Sequence, residues 1–437
     1  MTNPKPQVGG STPVESRLVR IEKPVYGGSF LARDEGKAVF VPLTLPGEHA
    51  RVRIVDEKRG YATAEVEEIV SAAPERTAPG CRHFGACGGC QYQHTDYATQ
   101  LRLKHEILRE TLERAGLQVP REIDVLAGKP WEYRSRIRLA FDKRGSVGYR
   151  GRRSHEVVAI EECPIAAPLL VRAAQATAEL LRVAKPTLRL SELVLFCNGD
   201  ESALLGTILV TGTQKDGFDD VAKALSERIP ELRGLELALE GQQGRPSRRL
   251  ALWGETSFTY LAGGFSYRVG HGAFFQVNRW MVDALLEHVT ASYKGKLAWD
   301  LFAGVGLFAH RLASNFERVI AVESAPAAAL ALADNLSGTN GTVVTAETLK
   351  FLRGRSRDGR PDLIVVDPPR AGLGEATTSL VADTNTPSLV YVSCDPATLA
   401  RDLRMVIGRG YKLESITLAD LFPQTFHLES VVHLRRS

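Results

Sequence analysis

The sequence has no apolar run long enough to cross a membrane and no charged-then-apolar leader behind Met1. A membrane-spanning helix needs roughly 20 apolar residues in succession, and a secretory signal needs such a leader. We therefore expect neither membrane insertion nor secretion, and we expect a cytoplasmic protein that works as a monomer. Internal repeats and low-complexity blocks are missing as well.

An excess of charge of one sign is also missing, because 55 basic and 51 acidic residues leave a formal net charge of only +4. This net charge is too small to indicate a nucleic-acid partner. The distribution of charge along the chain must therefore decide whether such a partner is expected. Apolar residues make up 44% of the 437 residues, which excludes a wholly disordered chain. A chain of this length predicts about two to four domains.

The order of strand and helix patterns predicts an α/β protein. Residues 1–13 predict a flexible tail, and residues 14–72 predict a small OB-like β-barrel, because short strand-like runs alternate with turn signals. Residues 73–265 predict a central α+β domain with a helix at 97–115, which is a candidate to pack on the C-terminal domain. Residues 266–437 alternate strand and helix, which predicts a parallel, doubly wound, Rossmann-like sheet. The predicted strands are 17–23, 38–41, 49–56 and 61–69 in the barrel, and 297–302, 318–322, 343–346, 362–366, 388–393, 412–418 and 430–434 in the C-terminal domain.

A glycine turn, DLFAGVG at 300–306, follows an apolar run and precedes a helix-like stretch. Glycines let the backbone approach a ligand, and the helix N-terminus then faces that ligand. The next predicted strand ends at Glu323, and an acidic residue about 20 positions beyond such glycines suits a ribose diol. Asp300 suits the methionine end of S-adenosylmethionine. NAD stays a minor alternative, because Ala309 stands where a third glycine is usual.

Two further strand ends and one strand start carry reactive groups. Asp367 opens the sequence DPPR after an apolar strand, and the prolines predict a rigid loop where ligands of open α/β sheets bind. Cys394 ends the next strand beside a predicted helix N-terminus, a position that should lower the pKa of the thiol and expose the thiolate. Glu429 precedes the last strand and is a candidate general base near this cysteine.

The most basic stretch lies between Trp131 and Arg153, and its cationic residues are Arg134, Arg136, Arg138, Lys143, Arg144, Arg150, Arg152 and Arg153. On a strand the first three would face one side. Interleaved aromatic residues, Tyr133 and Tyr149 among them, would stack bases. The pattern favours an RNA-binding surface over a merely solvated basic face, with a second basic edge on the barrel at Arg51, Arg53, Lys58 and Arg59.

Taken together, the segments 300–306, 367–370, 393–396 and 423–429 resemble the RNA uracil-5-methyltransferases, and residues 14–72 resemble the RNA-binding TRAM domain. The resemblance implies that Cys394 attacks carbon 6 of uracil, that carbon 5 takes a methyl group from S-adenosylmethionine, and that Glu429 removes the carbon 5 proton. It implies a cofactor site, for which our candidates are Gln276, Phe302, Gly304, Gly306, Glu323 and Asp367, with Glu347 included by position only. Leu307 stands where some members carry Asn, so the contact that replaces this Asn is not identified.

Cysteine is scarce, with six in the chain, and clustered cysteines in a long cytosolic chain indicate metal binding or catalysis before disulfides. Cys81, Cys87, Cys90 and Cys163 match the cluster ligands of the iron–sulfur branch of the family. Three of them share one glycine-rich loop, and Cys163 precedes a proline, as cluster cysteines often do. We expect a [4Fe–4S] cluster with a structural or RNA-positioning role, with zinc or no metal as alternatives. Cys197 lies in an apolar run and is expected in the core.

The expected partner is RNA, and the layout resembles family members that modify 23S ribosomal RNA. Three alternatives stay open: a tRNA uridine-C5 methyltransferase, a cytosine-C5 methyltransferase, and a non-catalytic RNA-binding protein that retains a cofactor fold. Cytosine enzymes usually need an acid at ring nitrogen 3, and the sequence offers no evident candidate. An intact Cys394 and Glu429 argue against a non-catalytic protein.

Overall fold

The computed structural model describes residues 16–184, 188–241, 247–354 and 359–437, so the predicted tail at 1–13 lies outside the described residues. The N-terminal part is a closed barrel with the strand order β1-β2-β3-β5-β4, which confirms the predicted barrel. Its strands are β1 (Ser16–Val25), β2 (Ser29–Asp34), β3 (Lys37–Pro42), β4 (His49–Glu57) and β5 (Tyr61–Ser71). Strand β2 was not predicted, because it is short and has a turn signal at each end.

The middle of the chain forms a seven-stranded sheet with the order β13-β12-β11-β10-β7-β8-β9. Its elements are β7 (Arg136–Phe141), β8 (Val147–Arg150), β9 (Val157–Ala159), α2 (Pro168–Ala184), β10 (Leu190–Cys197), β11 (Leu204–Val210), α3 (Phe218–Arg228), β12 (Leu232–Leu239) and β13 (Arg248–Gly254). Helices α2 and α3 pack with the sheet in one core, which includes Cys197 as predicted. A hairpin of β14 (Ser257–Ala262) and β15 (Phe265–Gly270) follows.

The C-terminal part is an eight-stranded sheet with the order β18-β17-β16-β19-β20-β22-β21-β6. Its chain segments, in order, are α1 (Tyr97–Arg114), β6 (Asp124–Leu126), α4 (Val282–Thr290), β16 (Gly295–Leu301), α5 (Leu307–Leu312), β17 (Phe316–Glu323), α6 (Pro326–Leu336), β18 (Gly341–Thr345), α7 (Thr348–Gly354), β19 (Leu363–Val366), α8 (Gly374–Asp383), β20 (Ser388–Ser393), α9 (Pro396–Gly408), β21 (Tyr411–Ala419) and β22 (Glu429–Arg436). Hydrophobic cores cover both faces of this sheet.

One strand departs from the predicted parallel sheet. Strand β22 runs antiparallel to both of its neighbours, β20 and β21, whereas all the other strands run in one direction. A parallel neighbour needs a crossover of a dozen or more residues, and the segment 420–428 between β21 and β22 is too short for one. Strand β22 therefore folds back into the gap between β20 and β21, which brings its first residue to the carboxyl end of β20.

Helix α1 packs on the C-terminal sheet although the central sheet follows it in sequence. The side chain of Asp96 caps the helix by accepting a hydrogen bond from the Thr99 amide, and Gly116 ends the helix with a φ of 79°. Ile107, Leu108 and Leu112 join the core on one face of that sheet. None of the helices in the described residues has the length and apolar content that crossing a membrane requires.

Candidate active site and cysteine cavity

The predicted site residues form a row along one edge of the C-terminal sheet. In the order of the strands, this row contains Glu347 after β18, Glu323 at the end of β17, Phe302 after β16, Asp367 after β19, Cys394 after β20 and Glu429 at the start of β22. Neighbouring strands lie about 4.8 Å apart. Strands β16 to β18 extend to one side and β19 starts the other side, so the row crosses the topological switch point where such sheets bind ligands.

The glycine turn is organised around Glu323. Its carboxylate accepts hydrogen bonds from the amides of Gly304 (2.9 Å), Ser324 (2.7 Å) and Ala325 (2.6 Å). Gly306 has a φ of 95°, and a Cβ atom there would lie 2.6 Å from a methyl carbon of Leu332, so both the conformation and the close packing require glycine. Glu323 thus holds the turn against β17, and its oxygens line the turn.

Two carboxylates with raised pKa values lie at the switch point, the buried Asp300 and the half-buried Asp367. Asp300 accepts a hydrogen bond from the Ala309 amide through Oδ2 (2.8 Å), while its Oδ1 is buried without a partner. Burial, with Asp367 and Glu323 nearby, raises the pKa of Asp300 to about 7. Burial also raises the pKa of Asp367 to about 7. A buried, unpartnered carboxylate oxygen is a group that a cationic or hydrogen-bonding ligand would satisfy.

Phe302 lies in strained backbone, and Gln276 lies in a backbone segment that hydrogen bonds hold on both sides. Phe302 has a φ of 69°, a left-handed conformation that a side chain rarely adopts and that clusters at functional sites. Gln276 is buried on the segment between β15 and α4. That segment is fixed on both sides, because Ser135 donates to the carbonyl of Val277 (2.8 Å) and Asn278 donates to the carbonyl of Leu421 (3.0 Å). The exposed Glu347 lies furthest from Cys394 along the row.

Cys394 and Glu429 are adjacent across two strands. Ser393 pairs with Ser430 in the register of β20 and β22, so the next residue on each strand end is Cys394 or Glu429. Burial raises the pKa of Glu429 well above its usual value, and the charge of Asp367 adds to this shift while Arg370 opposes it. The two side chains therefore share a confined site with a second carboxylate.

The thiol of Cys394 is not pre-ionised, contrary to the prediction of a lowered pKa. Burial, with smaller contributions from the charges of Glu429 and Asp367, raises the pKa of Cys394 to about 12, while the charge of Arg370 opposes this shift. The helix N-terminus does not compensate, because Asp395 caps α9 by accepting from the amides of Ala397 and Thr398. The amides that would stabilise a thiolate are used by a neighbouring carboxylate.

The four predicted cluster cysteines line a single cavity of about 260 Å³. All four are free thiols. The loop 81–90 reaches Cys163 by lying against β8, where the Gly88 amide donates to the carbonyl of Arg150 (3.1 Å). Burial raises the pKa of Cys90 to about 12 and also raises the pKa of Cys87 and Cys163. Among the described residues, no set of three Cys, His, Asp or Glu side chains has the geometry to hold one metal ion.

The cavity lies beside the row of predicted site residues. Phe426 and His427 line its wall, and Glu429 follows two residues later. The His427 ring contacts the Arg370 guanidinium at 2.9 Å, and burial together with Arg370 lowers the pKa of His427 to about 3. His427 is therefore neutral and accepts from Arg370, which links the DPPR loop to the cavity wall.

Three of the eight cationic side chains of the basic stretch, those of Arg134, Arg136 and Arg152, are not exposed, which corrects part of the predicted RNA surface. Arg136 lies over the Phe196 ring, 4.1 Å from its centroid, and donates to the carbonyl of Ala273 (2.6 Å). Arg138 forms an ion pair with Glu192. Tyr133 is fully buried and donates to the carbonyl of Pro423 (3.0 Å), so it offers no stacking surface. The cationic residues of the stretch with exposed side chains are Arg138, Lys143, Arg144, Arg150 and Arg153.

The barrel's basic edge is likewise partly neutralised. Arg51 pairs with Glu68, and Arg53 lies near Glu65 and Glu67.

The barrel also contributes a residue that the sequence analysis missed. The hydroxyl of Tyr26 donates to the carbonyl oxygen of Cys394 (3.0 Å). The pair Gly27-Gly28 beside it indicated a turn, but no local pattern indicates which distant residue a turn contacts.

Two family models match parts of this chain. A family model described as "tRNA (Uracil-5-)-methyltransferase" matches residues 96–437, and one described as "TRAM domain" matches residues 10–66. A protein of Thermotoga maritima named "Uncharacterized RNA methyltransferase" is 31% identical over 440 residues, with 95% of this chain and 98% of that protein covered.

Two further matches carry more specific names. A Chromohalobacter salexigens protein named "23S rRNA (uracil(1939)-C(5))-methyltransferase RlmD" is 34% identical over 431 residues, with 95% of this chain and 88% of that protein covered. The crystal structure of Pyrococcus abyssi tRNA (uracil-54, C5)-methyltransferase in complex with S-adenosyl-L-homocysteine superposes with a TM-score of 0.78 at 23% identity, and it covers 95% of this chain and 99% of that one. At that identity the likeness shows a shared fold.

Proposed function

The chain belongs to the tRNA (uracil-5-)-methyltransferase family and is an S-adenosylmethionine-dependent RNA uracil-C5 methyltransferase, and on this basis we propose that it methylates a uridine of 23S ribosomal RNA through a covalent bond between Cys394 and carbon 6. The observation that carries the covalent mechanism is the adjacency of Cys394 and Glu429 at the ends of β20 and β22. A nucleophile and a general base next to each other are what addition and later elimination at one uracil ring require.

Cys394 acts first. Its thiol loses a proton to the neighbouring Asp367 carboxylate, and the thiolate adds to carbon 6 of the uracil. The electron pair of the 5,6 double bond then makes carbon 5 nucleophilic, which uracil alone is not. The elevated pKa of the free thiol, about 12, supports a thiol that stays protonated until substrate fills the site.

Glu429 acts last. S-adenosylmethionine supplies the methyl group that carbon 5 takes, and its sulfur keeps the bonding electron pair. Glu429 then removes the remaining proton from carbon 5, the 5,6 double bond forms again, and the Cys394 thiolate leaves. The raised pKa of Glu429 makes its carboxylate a stronger base than an exposed glutamate would be.

The cofactor side of the row is proposed to hold S-adenosylmethionine at the glycine turn. Glu323 would face the ribose diol, and the buried Asp300 would face the positively charged methionine end. Phe302, Gly304, Gly306 and Gln276 would line this site, and Glu347 would approach the adenine. The unpartnered oxygen of Asp300 supports this assignment, because a cationic ligand would satisfy it.

The nucleophile is tested with RNA that contains 5-fluorouridine, because fluorine cannot leave carbon 5 as a proton does. We expect the wild-type protein to form a stable protein–RNA adduct in the presence of S-adenosylmethionine, and the Cys394→Ala variant to form none. The Cys197→Ala variant is the matched control, since this thiol is buried in another core. Methylation by Cys394→Ala at the wild-type rate would exclude the covalent mechanism, and absence of transfer by the wild type would favour a non-catalytic RNA-binding protein.

The choice of 23S ribosomal RNA rests on the names of several relatives, of which the Chromohalobacter salexigens protein is one. The test is a map of 5-methyluridine in RNA from cells that lack the gene. Loss of one methyl group from 23S ribosomal RNA would support the proposal, and loss from transfer RNA would replace it by the tRNA alternative. The monomeric state and the cytoplasmic location stay predictions.

We also propose that Cys81, Cys87, Cys90 and Cys163 hold a [4Fe–4S] cluster. Their common cavity of about 260 Å³ supports a bulky inorganic group rather than one ion, and a cationic iron core would stabilise thiolates at buried positions. We expect anaerobically purified protein to contain about four iron atoms per chain, the Cys90→Ser variant to lose them, and Cys197→Ala to retain them. Stoichiometric zinc in a colourless protein would overturn the proposal.

A further inference from the structure

One turn of the N-terminal barrel contacts the proposed catalytic site. Tyr26 follows β1, and its hydroxyl donates a hydrogen bond of 3.0 Å to the carbonyl oxygen of Cys394. Cys394 precedes Asp395, the N-cap residue of α9, so its carbonyl takes no part in the hydrogen bonds within that helix. The barrel therefore supplies a partner for the main chain of the proposed nucleophile.

The turn that carries Tyr26 is wedged between two other segments. Gly28 has a φ of 84°, and a Cβ atom on it would lie 2.9 Å from Cγ of Gln91 and 3.3 Å from Cβ of Phe426. The Tyr26 ring meets the Phe426 ring edge-on, with centroids 5.8 Å apart and planes at 81°. Gln91 belongs to the segment after the cysteine loop, and Phe426 belongs to the segment that leads to Glu429. The position of the turn is therefore fixed from both sides.

The Tyr26 hydroxyl also faces the charges of the site. Burial raises the pKa of Tyr26, with further contributions from Asp395, Cys394 and Glu429 against the opposing effect of Arg370. The phenol therefore stays neutral across the physiological pH range and remains a hydrogen-bond donor. A neutral donor fixes the Cys394 peptide without adding a charge beside the thiol.

We propose that Tyr26 is a positioning residue for the nucleophile, so that the barrel completes the active site in addition to any role in binding RNA. The hydrogen bond sets the orientation of the Cys394 peptide and hence the direction of the Sγ atom towards carbon 6. A displacement of about 1 Å at a reacting atom can reduce a rate roughly 100-fold. This inference rests on the proposed role of Cys394.

The test compares Tyr26→Phe, which keeps the ring and its contact with Phe426 but lacks the donor, with Tyr61→Phe, a control on the exposed part of the same barrel. We expect Tyr26→Phe to lower kcat about tenfold or more, and to slow adduct formation with 5-fluorouridine RNA by the same factor, while the KM for RNA stays within about twofold. Tyr61→Phe should match the wild type in all three quantities.

A second variant tests the same idea from the backbone. Gly28→Ala places a Cβ atom against Gln91 and should displace the turn, so we expect the same loss of kcat with little change in KM. A raised KM with unchanged kcat in both variants would show that the turn serves RNA binding only and would overturn the inference, and so would wild-type kinetics in Tyr26→Phe. Failure of the wild type to form any adduct would instead overturn the role of Cys394.

Discussion

The side chains of Lys104 and Asp420 form an ion pair that is completely buried, with 2.6 Å between Nζ and Oδ1 and 0% exposure for both side chains. Lys104 also donates to the carbonyl of Phe422 (2.9 Å), and the Asp420 amide donates to the carbonyl of Leu126 (2.8 Å). The pair ties helix α1 to the segment 420–428, which leads to Glu429. A helix outside the alternating strand and helix pattern thus anchors the proposed general base.

Breaking this pair should destabilise the fold strongly. We expect Lys104→Met to lower the free energy of unfolding by about 3 to 5 kcal/mol, because Asp420 is then buried as an unpaired charge. The double variant Lys104→Met/Asp420→Leu should recover most of this loss, since no charge remains buried. Urea denaturation of the three proteins measures these differences. A loss below about 1 kcal/mol in the single variant would show that water reaches the pair.

Replacing the proposed base should trap the reaction after methyl transfer. We expect Glu429→Gln to transfer one methyl group to ordinary RNA and then to stay bound to it, because nothing removes the carbon 5 proton and Cys394 cannot leave. A denaturing gel should show the complex, and mass spectrometry should show a methylated uracil on Cys394. The control is Glu414→Gln, which changes an exposed glutamate paired with Arg435. Turnover at the wild-type rate by Glu429→Gln would rule out this role.

The charges around Cys394 should control its reactivity with iodoacetamide. Because its pKa is raised to about 12, the thiolate forms only as the pH rises, and the alkylation rate should increase about tenfold per pH unit between pH 7 and 10. Glu429→Gln removes a negative neighbour and should speed alkylation, whereas Arg370→Gln removes a positive one and should slow it. Peptide mass spectrometry resolves Cys394 from the other thiols. Equal rates in both variants would contradict this electrostatic account.

We expect the buried Asp300 carboxylate to destabilise the cofactor-free protein at neutral and alkaline pH. Its pKa is raised from 3.8 to about 7. The free energy of unfolding is therefore unaffected by Asp300 below about pH 4 and falls as the pH rises towards 7, because the ionised carboxylate is favoured in the unfolded chain. We expect Asp300→Asn to gain about 2 to 4 kcal/mol at pH 8 and close to nothing at pH 4, because Asn can still accept from the Ala309 amide. Thermal unfolding at both pH values measures this.

The same variant should bind S-adenosylmethionine more weakly, since the buried charge proposed to face the methionine end is gone. A gain in stability at pH 8 together with unchanged cofactor affinity would remove Asp300 from the proposed cofactor site. A loss of stability at pH 8 would show that Asp300 is paired in the free protein.

Local sequence patterns predicted the C-terminal sheet closely. Apolar runs that alternate with helical patterns predict seven of its eight strands, β16 to β22, and place Asp367 and Cys394 at strand ends. The three-residue strand β6 is not predicted. In parallel strands, the carboxyl ends share one edge of the sheet, so the sequence predicts a common site for these residues. The sequence did not predict that β22 runs antiparallel, because this direction depends on where β22 enters the sheet, between β20 and β21.

The charge pattern of the basic stretch predicted less of the structure than the apolar runs did. A strand with alternating arginines indicates that Arg134, Arg136 and Arg138 share a face, but it does not indicate what covers that face. In the fold, Phe196 on β10 covers Arg136, whereas Arg138 stays exposed in an ion pair with Glu192. Tyr133 is buried and donates to the carbonyl of Pro423. Exposure depends on packing between segments distant in sequence, and a local pattern carries no information about such packing.

The amino-acid sequence alone was sufficient to identify the family, the barrel, the order of the strands along the chain and the residues capable of the chemistry, because these depend on residue type and spacing. Tertiary packing determined the protonation of Cys394, the enclosure of four cysteines in one cavity and the contact between Tyr26 and the proposed nucleophile. Each of these arises where segments that are not adjacent in sequence meet, and there burial and neighbouring charges set the energies.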